Sequence, residues 1–450
     1  MHFHSVRAGT ARAAAVFITV ALAHALAQSA AAASLTLADA QRIAVMRSRQ
    51  LAAQDAAITS SREMAVAASR LPDPLLRLGV DNLPVDGSDR FSFERDFMTM
   101  RRIGVMQEFT GADKRRLRGE RFEREADRGL AEKHAAIAAI QRDTAIAWLE
   151  RFYLERLRAA VSEQTEESRL EIQAAEGAYR GGRASQTDVV TARSSRVMLE
   201  DRLSELDKRV RNARAALARW TGDAATETTL GSPPPLDTVP VHLHTLKAQL
   251  ELHPTIAVLA GDVAIAQTDV RLAQANRRAD WSWELAYQRR GSSFSDMVSV
   301  GVSIPLQWDQ KHRQNRELAS KLALAERAMA QRDEALRQHF AEVQTMLNEW
   351  ENGRERVRRY EQALSPLARE RTQAALAAYR GGKGDLAAVL GARRNEIEVR
   401  AQALQLQIDT ARIWAQLRYL YPDDTAGALA SVDPRSRAPG VELSKAGEAQ

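Results

Sequence analysis

Two hydrophobic periods take turns along this chain, and the sequence of periods occurs twice. From Leu199 the apolar positions Leu203, Leu206, Val210, Ala213 and Leu217 follow at alternating steps of four and three. That is the narrow seam of a coiled-coil helix, where a globular-core helix would show a broader stripe. Further on the period becomes two. Trp281, Trp283, Leu285 and Tyr287 interleave with Ser282, Glu284, Ala286 and Gln288; after Gly291-Ser292-Ser293, Val298, Val300, Val302 and Ile304 alternate with Ser299, Gly301 and Ser303. The pattern predicts a β-hairpin over about 281–306 with one apolar face. A weaker hairpin is predicted over about 75–109, where Leu76, Leu78 and Val80 alternate with Arg77, Gly79 and Asp81 ahead of Arg102-Ile103-Gly104-Val105. A small soluble hairpin packed on a helix shows the same alternation. Polar residues on the second face and Trp and Tyr near the strand ends point instead to a transmembrane barrel.

The two halves are copies. Ala178-Tyr179-Arg180-Gly181-Gly182-Arg183 recurs as Ala378-Tyr379-Arg380-Gly381-Gly382-Lys383, and Val189-Val190-Thr191-Ala192-Arg193 aligns without a gap on Val389-Leu390-Gly391-Ala392-Arg393. Each copy begins with a helix, about 37–70 and about 243–278, then an alternating region, a long helix, a Gly-Gly break and a shorter helix. No proline occurs between Gly111 and Thr221, and Gly181-Gly182 is the strong breaker there. A helix of about 70 residues, a turn and a helix of about 38 follow, roughly 100 Å and 57 Å long at 1.5 Å per residue. The second copy has the same proportions, with Pro366 as an expected kink. The copies span 34–223 and 243–421, joined by a linker at 224–242 containing Pro233-Pro234-Pro235; the tail 422–450, rich in Ala, Gly, Ser and Pro, is expected to be disordered.

The N-terminus carries His2, His4, Arg7 and Arg12, then the apolar run 13–26 and an Ala-rich stretch ending at Ala33. This reads as a secretory signal peptide, residues 1–33, with small-x-small cleavage points after Ala27 or, preferred, Ala33. No later segment approaches the roughly 18–20 continuous apolar residues of a transmembrane helix. There is no cysteine, so the chain offers no lipidation cysteine, disulfide framework or thiolate metal site. The net charge of +6 falls to +4 once Arg7 and Arg12 leave with the signal, and basic and acidic residues alternate along the helices. Nucleic acid is therefore not an expected partner.

Four strands cannot close a barrel in lipid, where open edges are not tolerated and known barrels begin at eight strands. The chain must oligomerise. Two copies would give a filled eight-stranded barrel and three a twelve-stranded one with room for a pore.

The duplicated Tyr-Arg-Gly-Gly break, followed by Asp188-Val189-Val190 and by Val389-Leu390, resembles the TolC-type outer-membrane efflux proteins over essentially the whole mature chain. The segments Leu71-Pro72-Asp73-Pro74, 79–84, 101–109 and 298–306 are similar to its heavy-metal, CzcC-like branch. The resemblance implies a mainly α fold, with duplicated antiparallel helical hairpins forming a coiled-coil α-barrel and four strands per protomer contributing to a trimeric twelve-stranded β-barrel. It implies a homotrimer in the outer membrane, in contact with lipid and docked to a periplasmic adaptor and an inner-membrane resistance-nodulation-division pump, and it implies metal cations as cargo, with drugs or secreted polypeptides as the alternative.

By the same resemblance Thr187, Asp188 and Tyr379 occupy the periplasmic tip or gate, and Tyr179, Arg180, Gly181, Gly182, Arg183, Arg380, Gly381 and Gly382 the adaptor-binding tips. A carboxylate ring at a pore mouth would suit cations. The second copy has Ala388 and Gly391 where an aspartate is common in the family, so Asp385 is the candidate substitute there, and Lys383 a candidate to pair with an acidic tip residue.

Other candidates carry less. His242, His244 and His253 have a spacing that admits metal ligation, but exposed histidines near a linker explain them; Met98, Met100 and Met106 are candidate soft ligands or ordinary strand and loop residues. Gly181-Gly182-Arg183 lacks the lysine and hydroxyl spacing of a phosphate loop, and no zinc-protease or nucleophile-elbow motif occurs. No enzyme and no cofactor are expected. A soluble periplasmic coiled-coil scaffold is the reading from another class, and it leaves the interleaved strands unexplained.

Overall fold

The computed structural model describes residues 34–223, 227–241 and 246–423. The expected signal segment with its cleavage points, His242, His244 and the tail from 424 lie outside the described residues. The chain divides into two units, each drawing on both copies: a helical unit of residues 34–48, Ala139–Pro240 and Thr345–Leu420, and a sheet unit of Arg49–Ala138, Val241–Gln344 and 421–423.

The leading helix of each copy is broken, where the hydrophobic pattern predicted continuity. In the first copy α1 (Leu37–Arg47) starts at Thr36, whose hydroxyl accepts from the Asp39 amide at 3.1 Å, and stops at Ser48, which is extended at φ −67°, ψ 112°; α2 (Arg49–Ala68) follows. The long hairpin of the first copy comes next, α3 (Ala112–Arg180) and α4 (Gln186–Thr221), of 69 and 36 residues. The leading helix of the second copy is split into α5 (Leu246–Glu251) and α6 (Pro254–Ala275). Pro254 is the cause of that second break. A proline pushes the residue before it out of the α region and is itself well placed in a first helical turn. His253 accordingly sits at φ −63°, ψ 135°, and its Nδ1 accepts from the Thr255 amide at 3.3 Å.

The second long hairpin runs through α7 (Gln314–Arg359), a π-helical turn at Tyr360–Leu364, α8 (Ser365–Arg380) and α9 (Leu386–Arg418). The kink expected at Pro366 takes the form of that π-turn. Proline has no amide hydrogen and its ring crowds the carbonyl four residues back, and one turn of wider winding accommodates both.

Within the helical unit, the α4 seam buries Leu206, Val210, Ala213 and Leu217 and half-buries Leu199 and Leu203. Three indoles tie loose chain to the helices. Trp148 Nε1 donates to the Leu35 carbonyl (3.0 Å), Trp350 Nε1 to Leu236 (3.2 Å) and Trp414 Nε1 to Thr238 (2.9 Å). Buried Arg151 donates to the Thr228 carbonyl at 2.8 Å, and Leu35 pairs with Leu230 in a parallel bridge. The linker residues 228–238 are thus a strap held by backbone acceptors.

The sheet unit holds β1 (Leu75–Asp81), β2 (Met100–Phe109), β3 (Trp281–Arg289) and β4 (Met297–Ser303), in the order β1-β2-β3-β4 and antiparallel throughout. The two hairpins, one from each copy, join through β2 and β3. Strands β1 and β4 are left as the sheet's two edges.

Helix packing in the helical unit is close at Gly353, where an added Cβ would lie 2.6 Å from the Thr410 hydroxyl, and open at Gly391, where it would meet nothing within 4 Å. Gly353→Val is expected to destabilise by about 1–3 kcal/mol through overpacking, and Gly391→Ala to be neutral or to stabilise by up to about 1 kcal/mol. Thermal unfolding midpoints of the two variants check this.

Candidate functional site

The sheet is inverted relative to one that faces water. Its register sets Leu76, Val105, Leu285 and Val300 in one row across four strands and Leu78, Ile103, Tyr287 and Val298 in the next. These side chains are exposed, Leu78 at 70% and Val300 at 73%. The second face is the polar and better covered one. Glu284, with only 18% of its side chain exposed, takes an ion pair from Arg77 at 3.2 Å and another from Arg102, which also reaches Asp81 at 3.7 Å. Near one end of the strands Phe109 stacks on Trp281 with ring centres 4.6 Å apart.

The two Gly-Gly breaks fold alike. Gly182 and Gly382 lie at φ +69° and +68°, a left-handed conformation that a side chain disfavours. Each closes its helix with the same pair of bonds: Gly182 N to the Tyr179 carbonyl (3.0 Å) with Arg183 N to Ala178 (2.8 Å), and Gly382 N to Tyr379 (3.1 Å) with Lys383 N to Ala378 (2.9 Å). This is the Schellman closure that satisfies the last carbonyls of a helix.

The acidic residues at the breaks are helix caps. In the first copy Ser185 and Asp188 form a capping box: the Ser185 hydroxyl accepts from the Asp188 amide (3.2 Å), and Asp188 Oδ2 accepts from the Ser185 amide (2.8 Å) and hydroxyl (2.9 Å). In the second, Asp385 occupies the position of Ser185 and accepts alone from the Ala388 amide at 2.8 Å. Asp385 therefore replaces the serine of the box, while Ala388 stands where Asp188 does. Thr187 is exposed in the first turn of α4, its carbonyl accepting from the Thr191 hydroxyl (2.8 Å). Lys383 is exposed and makes no ion pair among the described residues. Arg180, Gly181, Arg183, Arg380 and Gly381 are exposed as well.

The breaks meet through a small core of Ala175, Val189 and Ala192 from the first copy and Leu386 and Leu390 from the second, with Ile172 and Tyr379 packed on it. Tyr379 is thereby partly buried, whereas its counterpart Tyr179 is 48% exposed. A second asymmetry concerns Arg193 and Arg393. Arg193 pairs with Glu176 at 2.6 Å within its own hairpin. The position equivalent to Glu176 is Leu376, and Arg393 reaches instead to α3, pairing with Glu167 (2.8 Å) and Glu171 (3.3 Å). Burial pushes the Glu171 carboxyl above its ordinary range; Arg393 opposes this and Glu167 adds to it. Ser185 and the Arg393 clasp are not among the residues the sequence singles out. The Ser-x-x-Asp spacing was there to be read, but the clasp depends on a contact between copies that no local pattern encodes.

The other candidates do not converge. Met100 and Met106 sit six residues apart on one strand, roughly 20 Å at 3.3 Å per residue, and Met98 lies in the loop before β2. Among the described residues no group of three or more His, Cys, Asp or Glu is arranged to hold a metal ion.

Removing the capping box with Ser185→Ala/Asp188→Ala is expected to cost about 0.5–2 kcal/mol, read as faster amide exchange over 186–190; Asp188→Asn, which keeps an acceptor, should lose less. For Glu171 the raised value means that the folded protein holds a proton the unfolded chain would release, so its charge costs stability at neutral pH and the cost fades as pH falls through that value toward about 4.3. Glu171→Gln should therefore be more stable than wild type near pH 7 and lose that advantage below, in paired unfolding curves from pH 7 to 4.

Residues 245–421 match the family described as outer membrane efflux protein. No curated protein matches the chain in sequence. Solved structures match it in fold. The outer membrane protein VceC from Vibrio cholerae is 21% identical with a TM-score of 0.70, the match covering 85% of this chain and 95% of that one. The CmeC outer membrane channel of Campylobacter jejuni is 12% identical at a TM-score of 0.70, covering 87% and 88%. CusC, described in terms of folding and transmembrane channel formation, is 14% identical at 0.70, covering 86% and 92%. At these identities the likeness establishes the fold alone, a mainly helical chain with four antiparallel strands built like these outer-membrane channels, and residues 245–421 are similar to the outer membrane efflux protein family.

Proposed function

We propose that the chain is one protomer of an outer-membrane exit duct in a tripartite efflux system. The observation that carries this is the inverted sheet, with apolar rows uncovered and the Glu284 ion pairs on the opposite face. Apolar rows of that kind suit lipid, and the two unpaired edges suit closure by further copies. Three protomers give twelve strands and room for a lumen. The signal segment 1–33 would direct export, and the repeats 34–223 and 243–421 would form the barrel and tunnel wall. In this reading the protein is a passive conduit without a catalytic step, and an inner-membrane resistance-nodulation-division pump supplies the energy.

The tips at Gly182 and Gly382 are the proposed adaptor contacts, since their arginines and Tyr179 are exposed while the turns themselves are rigidly capped. As a gate carboxylate Asp188 is held by its cap, so its charge is fixed in place. Metal cations are the proposed cargo, supported by the resemblance of 71–74, 79–84, 101–109 and 298–306 to the heavy-metal branch; drug export is the alternative within the same fold.

The test of cargo is a deletion strain exposed to copper, zinc, cobalt, cadmium, nickel and silver, with intracellular metal measured and the wild-type chain restored. Selective accumulation of one or two metals, reversed by the restored chain, is the expected result. Unchanged tolerance to every metal together with new drug sensitivity would remove the metal cargo and leave the duct.

A further inference from the structure

The positive charge of this protein is gathered at one end of the sheet. The four segments where strand meets helix, 69–74, 110–118, 276–280 and 304–316, contain ten Lys and Arg against four Asp and no Glu. That excess equals the +6 of the entire chain, so the remainder is neutral overall. The loops at the opposite end of the strands, 82–99 and 290–296, hold three Arg against five Asp and Glu and carry the other sign.

At the basic end is a cavity of about 760 Å³ whose lining includes Lys114, Arg118, Arg278, Arg313, Leu306 and Trp308. The carboxylates on its wall are mostly engaged. Asp280 is paired with Lys114 at 2.9 Å and accepts from the Gly111 amide at 3.0 Å, and Asp309 accepts from the His312 amide at 3.2 Å and lies 2.8 Å from its Nδ1, which leaves Glu108. Arg118 and Arg313 make no ion pair among the described residues, and Arg278 makes a long one, to Asp113 at 3.9 Å. Beside these cations the chain leaving β4 is greasy and uncovered: Ile304, Leu306 and Trp308 are exposed, Trp308 at 85%, and they continue the apolar face of Val298, Val300 and Val302.

We propose that this end of the sheet binds anionic phospholipid, with Arg118, Arg278 and Arg313 taking the phosphate and the Trp308–Leu306 flank the acyl chains. Cations around a cavity of this size, set against an apolar surface, match a molecule that is charged at one end and apolar at the other. A free phosphate would use the first feature and leave the second without a purpose. Basic side chains near an anionic lipid surface each strengthen binding about fivefold, and indoles favour the boundary between headgroup and hydrocarbon. The proposal rests on the membrane reading of the sheet.

The experiment takes the detergent-purified oligomer, stripped of lipid, and titrates it with phosphatidylglycerol, with phosphatidylcholine and with inorganic phosphate, counting bound molecules by native mass spectrometry. Wild type is compared with Arg118→Gln/Arg313→Gln and, as a control at the other end, Arg90→Gln/Arg95→Gln. Wild type and the control should retain phosphatidylglycerol over phosphatidylcholine, and the first double variant should bind it on the order of 25-fold more weakly. Equal retention of the two lipids, saturation by phosphate alone that blocks lipid, or unchanged binding in the double variant would overturn the proposal. Loss of the oligomer in that variant whatever the lipid would assign the surface to contact between copies. A chain recovered from cells without detergent would defeat the membrane reading itself, a failure visible before any lipid is added.

Discussion

Ten large apolar side chains on four strands, from Leu76, Leu78 and Val80 through Ile103, Val105, Leu285 and Tyr287 to Val298, Val300 and Val302, stay between 41% and 73% exposed. Leaving a residue of this kind in water forfeits about 1.5–3 kcal/mol relative to burying it. Even at half that for partial exposure, the sum rivals the 5–15 kcal/mol by which a folded protein is ordinarily stable. The sheet therefore requires an apolar surrounding, and the opposite face shows the complement of that requirement. Glu284, Arg77, Arg102 and Asp81 are knit into ion pairs on the side that lipid would not touch. Edges β1 and β4 add a second demand, since their unpaired backbone groups need partners that a single copy does not supply.

The helical unit is governed by termination. Long helices with a narrow seam have little to stop them from fraying, and this chain closes each one with an assigned device: glycine in the left-handed region at 182 and 382, a box at Ser185 and Asp188, a single cap at Asp385. The duplicated tips then diverge through few substitutions. Leucine at 376 in place of a glutamate leaves Arg393 free to bridge the two copies, and partial burial of Tyr379 leaves Tyr179 the more exposed of the two equivalent tip tyrosines. Surface ion pairs are individually weak, about 0–1 kcal/mol, so the Arg393 bridge contributes little to stability beside the apolar cluster of Ala175, Val189, Ala192, Leu386 and Leu390.

Much of this was legible in the residues. The period-two runs located all four strands, the seam in α4 was read position by position, and the Gly-Gly repeats marked both turns. What was not legible depended on partners distant in sequence or on a local signal given too little weight. Pro254 announces a break that the hydrophobic period hides, and Ser48 breaks the first leading helix with no such marker. Asp188 and Asp385, candidate gate carboxylates by resemblance, are also helix caps; a cap and a pore charge use the same residue type. The segment 228–238 reads as a loose linker from its prolines, yet three of its carbonyls hold Trp350, Trp414 and Arg151.

In the proposed duct, β1 of one copy pairs with β4 of another in a closed barrel of three chains. The protein has no cysteine, so single cysteines introduced along β1 and β4, paired across the set in turn, report only the contacts they make. Because β1 and β4 are the opposite edges of the sheet, a bond between them in an open four-stranded sheet must join two chains. Oxidation in isolated outer membranes is predicted to give a ladder that ends at three copies, with a best pair that defines the register. A single-chain product at every pair, or a ladder that ends at two copies, would contradict it.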